Sequence, residues 1–405
     1  MNGLRILLIS SVLPRDTTGG ELVLYRHFSQ FPGLSLAIVL SVPAQPSATD
    51  DGQGLLAGDI VKINANRLLI RLARTRFAKW FHDYFQCVNT FHNTKELRRY
   101  IKTKKPDLIL TVAHNDLCWI ALQISQEFNI PLVTFFHDWW PDMAYVHAFA
   151  RKLLTRRFKR LYQQSQLVFC VDEEIRQALG THPNAQILFP IPNQLIKEEP
   201  PTRFVKADAF TIVYAGTLSG IYGPMMQELC SLVPARPELQ FQLKLFGPPL
   251  DWPDLLVQQV KANGIYGGFI PELVHELKKA SALLVAMSFN QQDKMRMQTS
   301  FPSKIVEYCQ FGKPIIIWGP DYCSAVHWGR KYQAALVVTS PLAENLVQAI
   351  AELSNQPKEQ IRLGNKALEM ARGMFNPEKI QQQFVNSIDQ LTASKFQNTT
   401  SQWVQ

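Results

Sequence analysis

The segment TSFPSKIVEYCQFGKPIIIWG, residues 299–319, carries the clearest local pattern in the chain. Pro302 suits the first turn of a helix, and Gly312 suits the point where that helix ends. The apolar run PIIIWG that follows is typical of a parallel strand buried on both faces. The segment therefore predicts one helix–turn–strand step of an α/β sheet.

The start of the predicted helix is a candidate phosphate site. Backbone amides near Ser303 and Lys304 would lack intrahelical acceptors, and the helix dipole favours an anion there. Lys304 could add a point charge. Glu307 lies one turn further along the same face, where its carboxylate can accept hydrogen bonds from two sugar hydroxyls. An ordinary helix–turn–strand step with a solvated Lys–Glu pair is the alternative interpretation.

The same alternation of apolar strands and helices extends through most of the chain. Strands are predicted at residues 5–10, 34–42, 107–112, 131–136, 167–171, 210–216, 241–247, 282–287, 314–319 and 335–340. In the second half, helices are predicted at about 223–233, 252–263, 271–280, 302–312 and 343–353. This alternation predicts βαβ units and therefore two doubly wound parallel sheets.

A proline-rich stretch without helical period, residues 184–209, predicts a linker with a domain boundary near residue 195. Asn376 and Pro377 suit the start of a last helix that packs back toward the N-terminal domain. The expected divisions are two Rossmann-like domains, the last helix and a polar, frayed tail, at residues 1–195, 196–375, 376–392 and 393–405. Ligands in such sheets bind outside the carboxyl ends of strands, so a cleft between the domains is the expected site.

The composition excludes several classes of protein. Hydrophobic residues make up 46% of the 405, which excludes a disordered chain. The six cysteines are far apart and form no CxxC pair, so neither a disulfide scaffold nor a zinc ribbon is expected. The sequence contains no run of 18 apolar residues, so no transmembrane helix is predicted. The apolar N-terminal stretch suits a buried strand better than a signal peptide.

Positive charge is concentrated in the first half of the chain. Residues 1–195 hold 22 Lys and Arg against 15 Asp and Glu, whereas residues 196–405 hold 20 against 18. The densest stretches are residues 62–105, with twelve basic and two acidic residues, and residues 151–160, with six basic residues. Interleaved with Leu, Phe and Trp, this pattern predicts docking on an anionic membrane, or alternatively a solvated helix face. No recognition module indicates nucleic acid binding.

The segment at 299–319 resembles the C-terminal-domain signature of GT-B-fold glycosyltransferases, particularly the retaining family 4 group. Glu307 falls on the second glutamate of that signature, and Phe301 on its central phenylalanine. Gly312, Lys313 and Pro314 match its Gly-x-Pro, whereas Thr299 replaces its first glutamate. The resemblance implies an α/β protein of GT-B architecture, with two Rossmann-like doubly wound domains facing a central cleft.

The N-terminal half resembles the same family in two places. PRDTTGGELVLYRHF is similar to the family's glycine-rich loop, where Gly19 and Gly20 would let the backbone approach a donor diphosphate. PLVTFFHDWWPD is similar to a strand that ends in a histidine near the reaction centre. By this resemblance His137 contacts the donor sugar, and Asp138 either supports His137 or contacts the acceptor. The two tryptophans that follow stack on a sugar or pack in the core.

The loop IVYAGTLSGIYGP departs from the family, because it lacks the Arg and Lys that neutralise the donor diphosphate. Two phosphates in a low-dielectric site need compensation. Lys304 with helix amides, or Lys294 or Arg296, would supply it; otherwise the diphosphate binds weakly. The donor-binding positions implied by resemblance are Gly19, Gly20, Gly216, Thr217, Phe246, Gly247, Phe269, Ile270, Phe301, Pro302, Ser303, Lys304 and Glu307.

The resemblance implies a hexosyltransferase-like enzyme of polysaccharide biosynthesis. It would move a sugar from a nucleotide-diphosphate donor to a hydroxyl of a glycan or lipid-linked acceptor, with retention and without a metal or cofactor. The expected location is cytoplasmic, and docking would make the protein peripheral at the inner face of the membrane. A catalytically silent GT-B scaffold in polysaccharide assembly is the alternative, favoured by Thr299 and the missing basic pair. An epimerase shares the fold but has no specific signal here.

Overall fold

The computed structural model describes residues 3–17, 19–42, 54–64, 71–72, 75–88, 92–193, 210–234, 241–270 and 273–401. The chain divides into two compact units. The first unit comprises Met1–Ile191 together with Glu378–Gln405, and the second comprises Pro192–Pro377. No helix of the described residues is long and apolar enough to cross a membrane.

The first unit is built on a seven-stranded parallel sheet. Its strands are β1 (Arg5–Leu8), β2 (Ser35–Val42), β3 (Asp59–Asn64), β4 (Leu108–Val112), β5 (Leu132–Phe136), β6 (Leu167–Cys170) and β7 (Ala185–Ile187). They lie in the order β3-β2-β1-β4-β5-β6-β7. The order reverses between β1 and β4, so the carboxyl ends of these two strands form the switch point where such sheets bind ligands.

Helices connect these strands, as parallel pairing requires. They are α1 (Gly19–Ser29), α2 (Ala78–Cys87), α3 (Lys95–Lys104), α4 (Leu117–Phe128), α5 (Trp140–Met143), α6 (Ala148–Gln164) and α7 (Glu173–Leu179). Every residue of β4 and β5 is buried, which explains why their sequences are continuously apolar.

The second unit repeats the architecture with a six-stranded parallel sheet in the order β10-β9-β8-β11-β12-β13. Its strands are β8 (Phe210–Ala215), β9 (Phe241–Phe246), β10 (Tyr266–Gly268), β11 (Ala282–Ala286), β12 (Ile315–Trp318) and β13 (Leu336–Val338). Its helices are α8 (Gly223–Leu232), α9 (Asp254–Ala262), α10 (Leu273–Lys279), α11 (Lys294–Thr299), α12 (Ser303–Cys309), α13 (Ser324–Tyr332), α14 (Ala343–Ser354) and α15 (Pro357–Arg372). The switch point of this sheet lies between β8 and β11.

The last helix, α16 (Pro377–Ser401), packs on the core of the first unit. Phe384 is fully buried, with its ring 5.7 Å from that of Phe31 and 5.6 Å from that of Phe169. The Gln381 side-chain amide donates a hydrogen bond of 2.9 Å to the carbonyl of His27. Residues 380–391 of α16 are therefore part of the first hydrophobic core.

Phe384→Ala is expected to lower the free energy of unfolding by about 3–5 kcal/mol, because it leaves a cavity among close-packed aromatic rings. Denaturant unfolding followed by circular dichroism measures the loss. Gln382→Ala, on the exposed side of the same helix, serves as the control and should change stability by less than about 0.5 kcal/mol. Equal effects of the two substitutions would contradict this packing.

Three strands and the end of the last helix differ from the sequence prediction. β3, β7 and β10 were not predicted, because edge strands are half exposed and lack the continuous apolar runs of central strands. β7 lies inside the predicted linker at 184–209 and completes the first sheet. The helix predicted to end at residue 392 continues through the predicted frayed tail to Ser401, in a stretch without Gly or Pro.

Candidate functional site

Two glycine turns meet at the carboxyl ends of β8 and β9. The backbone amide of Gly216 donates a hydrogen bond of 2.8 Å to the carbonyl of Phe246. Gly216 has a φ of 142°, which L side chains rarely adopt, and a Cβ at Gly247 would overlap the Gly216 carbonyl oxygen. Neither position accommodates a side chain, because Lys304 and the Gly216 carbonyl occupy the space that a Cβ would need.

Lys304 extends from α12 to this turn. Its Nζ lies 4.0 Å from the centroid of the Tyr214 ring, and a Cβ at Gly216 would overlap this ammonium group. Burial lowers the pKa of Lys304 to about 7. No carboxylate of the described residues lies within 4.0 Å of Nζ to balance its charge. The arrangement presents a partly buried cation that an anionic ligand would stabilise.

Two buried tyrosines hold Lys304 and the glycine turn in place. The Tyr308 hydroxyl accepts a hydrogen bond of 3.0 Å from the amide of Ala215, which joins α12 to the end of β8. The Tyr214 hydroxyl donates a bond of 2.7 Å to the carbonyl of Thr217. Burial raises the pKa of both hydroxyls, so both stay neutral. Sequence reasoning missed this pair, whose spacing carries no recognisable motif.

Glu307 and Thr299, the two signature positions, lie in different environments. Glu307 is part-buried, and its Oε2 accepts a hydrogen bond of 3.0 Å from the amide of Asn193. Thr299 is 1% exposed, and its hydroxyl donates a bond of 2.7 Å to the carbonyl of Met295 within α11. Thr299 is therefore satisfied inside the fold, whereas Glu307 stands on the helix that carries Lys304.

The remaining donor-side residues separate into buried and exposed groups. Phe301 packs against buried aromatic rings, and Phe246 lies beneath the backbone of Gly267. The exposed or part-exposed members are Thr217, Phe269, Ile270, Pro302 and Ser303. The structure thus brings Gly216, Phe246, Gly247 and Lys304 together and directs the Phe301 side chain into the core. The Nζ of Lys294, an alternative cation, lies 5.2 Å from the Tyr322 ring.

In the first unit, Gly20 lies beside His137. A Cβ at Gly20 would stand 3.8 Å from Nδ1 of His137, while Gly19 has a φ of 60° and open space around it. The His137 ring packs edge-on against Phe135 at 5.4 Å. Burial lowers the pKa of His137 to about 4, against the opposing effect of Asp138. The imidazole is therefore neutral at pH 7 and can donate or accept one hydrogen bond at each nitrogen.

His114 is a further part of this cluster that sequence reasoning missed. It follows β4 at the switch point, with its ring 4.1 Å from that of Trp140, and burial lowers its pKa. Asp138 acts on both histidines electrostatically. Trp139 is 4% exposed and packs on Phe158, which makes it a core residue. A histidine two residues after a central strand was the signal that could have identified His114.

The two doubly wound parallel sheets, each with polar residues at its switch point, define the class: the chain has the fold of GT-B glycosyltransferases. The resemblance of residues 299–319 to GT-B glycosyltransferases is therefore confirmed for the fold. The family model described as Glycosyltransferase Family 4 matches residues 49–193. A comparison with curated proteins gives no match.

Solved structures of the same fold span the chain. HepE of Anabaena, crystallised in complex with UDP, is 16% identical with a TM-score of 0.66 over 96% of this chain and 100% of its own. A glycosyltransferase of Rickettsia africae is 13% identical with a TM-score of 0.64, over 96% and 99% of the two chains. TarM is 8% identical with a TM-score of 0.61, over 96% and 99%.

Proposed function

We propose that this protein is a glycosyltransferase that binds a nucleoside diphosphate sugar in its second unit. The proposal is carried by the ammonium group of Lys304, which lies against Gly216 at the switch point of a GT-B sheet. No carboxylate of the described residues neighbours this ammonium group. A diphosphate supplies the missing negative charge. The ammonium would in turn stabilise the charge that develops on the departing diphosphate during transfer.

Other residues of the second unit have roles consistent with this assignment. The absence of a Cβ at Gly216 and Gly247 leaves room for Lys304 and for the close contact of the two turns, which places the ammonium group at the carboxyl end of β8. Glu307 accepts hydrogen bonds from the ribose hydroxyls, one turn after Lys304 on the same helix. The exposed Phe269 and the adjacent Ile270, at the carboxyl end of β10, are assigned to the nucleoside side. Lys304 thereby replaces the basic residues that the loop after β8 lacks.

In the first unit, we assign His137 to the transferred sugar and Asp138 to the acceptor. A neutral imidazole can donate a hydrogen bond to a sugar hydroxyl without placing a second positive charge near the reacting carbon. Gly20 leaves the space beside the ring open. We propose retention of configuration, no metal requirement and a glycan or lipid-linked acceptor, with the protein cytoplasmic and peripheral at the membrane.

A UDP-hexose is the first donor to test. HepE was crystallised with UDP-glucose, and UGT2 of Phytolacca americana was complexed with UDP-2-fluoro-glucose. The corresponding ligand here would place its diphosphate at Lys304. A second function, a catalytically silent GT-B protein in polysaccharide assembly, is favoured by the buried position of Thr299, where the family signature has a glutamate.

Glu307→Ala is expected to abolish release of UDP from UDP-glucose, because the donor loses its ribose anchor. Release is measured by a coupled UDP assay with and without a lipid-linked glycan acceptor. Glu352→Ala, an exposed glutamate on α14, is the matched control and should retain activity. Unchanged turnover in Glu307→Ala would contradict the assignment. Binding of UDP without any turnover of UDP-, GDP- or ADP-sugars would favour the silent protein.

A further inference from the structure

Two neighbouring helices of the first unit expose many large apolar side chains. Seven of the twelve exposed large apolar residues in the described chain lie in residues 77–88 and 145–153. These seven, here called the apolar face, are Phe77, Trp80, Tyr84, Val88, Tyr145, Phe149 and Leu153. The four in the range 77–88, which lie in or next to α2, are three or four positions apart, and this is the spacing of one helix face. Such a patch on an otherwise ordinary surface indicates an interaction site.

The apolar face is continuous across the two helices. The Trp80 ring lies 5.7 Å from that of Phe149 on α6, and the His147 ring lies near both, at 4.8 and 5.7 Å. The buried carboxylate of Asp83 accepts a hydrogen bond of 2.8 Å from the His147 amide and contacts its Nδ1 at 2.6 Å. This double contact fixes the start of α6 to α2 and holds the exposed rings together.

The two helices that carry the apolar face contain seven basic residues and one acid, the buried Asp83. α6 contains no acidic residue over its whole length. The Arg76 guanidinium lies 4.9 Å from the Phe77 ring, and the Lys79 Nζ lies 5.5 Å from the Tyr145 ring. Further exposed cations on α6 are Lys152, Arg156, Lys159 and Arg160. Two other basic residues of the predicted membrane stretch, Arg67 and Arg74, lie outside the described residues.

We propose that the apolar face and its surrounding cations dock on the surface of an anionic lipid bilayer. Aromatic rings favour the headgroup level, and Lys and Arg are attracted to anionic lipids. Cations spread over two helices match a diffuse negative surface better than a discrete set of carboxylates. Docking would bring the enzyme to a lipid-linked acceptor. This role rests on the proposed function.

Co-sedimentation with vesicles tests the docking. The protein is expected to bind phosphatidylcholine vesicles containing about 30% phosphatidylglycerol and to bind pure phosphatidylcholine at least about tenfold more weakly. Lys152→Glu with Arg156→Glu should weaken binding to anionic vesicles at least about tenfold. Trp80→Ser with Phe149→Ser should weaken it by a similar factor, because both rings leave the interface.

Matched controls lie on the second unit. Leu255→Ser with Leu342→Ser removes equally exposed apolar side chains, and Lys261→Glu with Lys358→Glu reverses equally exposed charges. Both controls should bind vesicles like the unaltered protein. Equal losses in controls and test variants, or equal binding to both lipid mixtures, would overturn the proposal.

Two additional measurements distinguish the remaining outcomes. UDP titration without vesicles checks the second unit separately, so failure of docking and failure of the glycosyltransferase assignment are told apart. Light scattering gives the oligomeric state in solution. A stable dimer that Trp80→Ser with Phe149→Ser dissociates, in the absence of vesicle binding, would overturn the proposal and assign the apolar face to a second copy of the chain.

Discussion

Lys304→Met is expected to weaken UDP binding by about 100-fold, because it removes the charge-assisted contacts to the diphosphate. Methionine keeps most of the aliphatic length that packs over Tyr214, so the fold should be retained. Calorimetric titration measures the affinity, and circular dichroism checks the structure. An affinity within a factor of about three of the unaltered protein would show that Lys304 does not bind the phosphates.

The same lysine predicts a pH dependence of binding. In the free protein the pKa of Lys304 is about 7, and a bound diphosphate would raise it by favouring the ammonium form. Below pH 7 the ammonium is already present and this contribution to affinity is complete. Above pH 7 binding requires proton uptake, so UDP affinity should fall by up to about tenfold per pH unit until the pH reaches the pKa of the complex.

Lys304→Arg is the matched control for this pH dependence. A guanidinium stays protonated at every accessible pH, so any binding that it restores should not decline between about pH 7 and 9. Titration in two buffers of different ionisation enthalpy counts the protons taken up directly. A pH profile that is identical for the unaltered protein and for Lys304→Arg would contradict proton uptake at this position.

His137→Ala is expected to lower kcat by about 100-fold while UDP affinity stays unchanged. The imidazole is assigned to the sugar, and UDP contains no sugar to be transferred. Because burial lowers the pKa of His137 to about 4, the ring is neutral across the working pH range and acts as a neutral hydrogen-bonding group. Steady-state kinetics with the donor, together with UDP titration, separate the two effects.

His137→Gln should recover part of the lost kcat, since the amide can still donate to a sugar hydroxyl. His275→Ala, an exposed histidine on α10, should change neither parameter. A loss of UDP affinity in His137→Ala equal to the loss in kcat would indicate a general structural effect and not a contact to the sugar.

The sequence was sufficient to predict the buried central strands, but it did not reveal three of the edge strands. β4, β5 and β11 are buried along their whole length, so their apolar runs identified them directly. β3 alternates buried and exposed residues at the sheet edge and carries charged side chains, which concealed it. Edge pairing depends on a neighbouring strand that local sequence does not reveal.

Positions of the candidate site that depend on backbone geometry were easier to predict from the sequence than contacts that depend on the direction of a side chain. Gly216 and Gly247, which the family resemblance assigned to the donor, occupy turns that exclude a Cβ. The partnership of Lys304 with Tyr214 joins residues far apart in sequence through a tertiary contact. Phe301 matched a family position, yet its ring packs in the core because neighbouring aromatic residues surround it.

The proposed function depends first on the binding of a nucleoside diphosphate by the second unit through Lys304. Its most direct test is calorimetric titration of the full chain with UDP, GDP and ADP, repeated on Lys304→Met and on Glu307→Ala. Saturable binding of one nucleotide is expected, with UDP the first candidate, and this binding should be lost in both variants. Saturable binding that neither substitution weakens, or no binding of any of the three nucleotides, would contradict it.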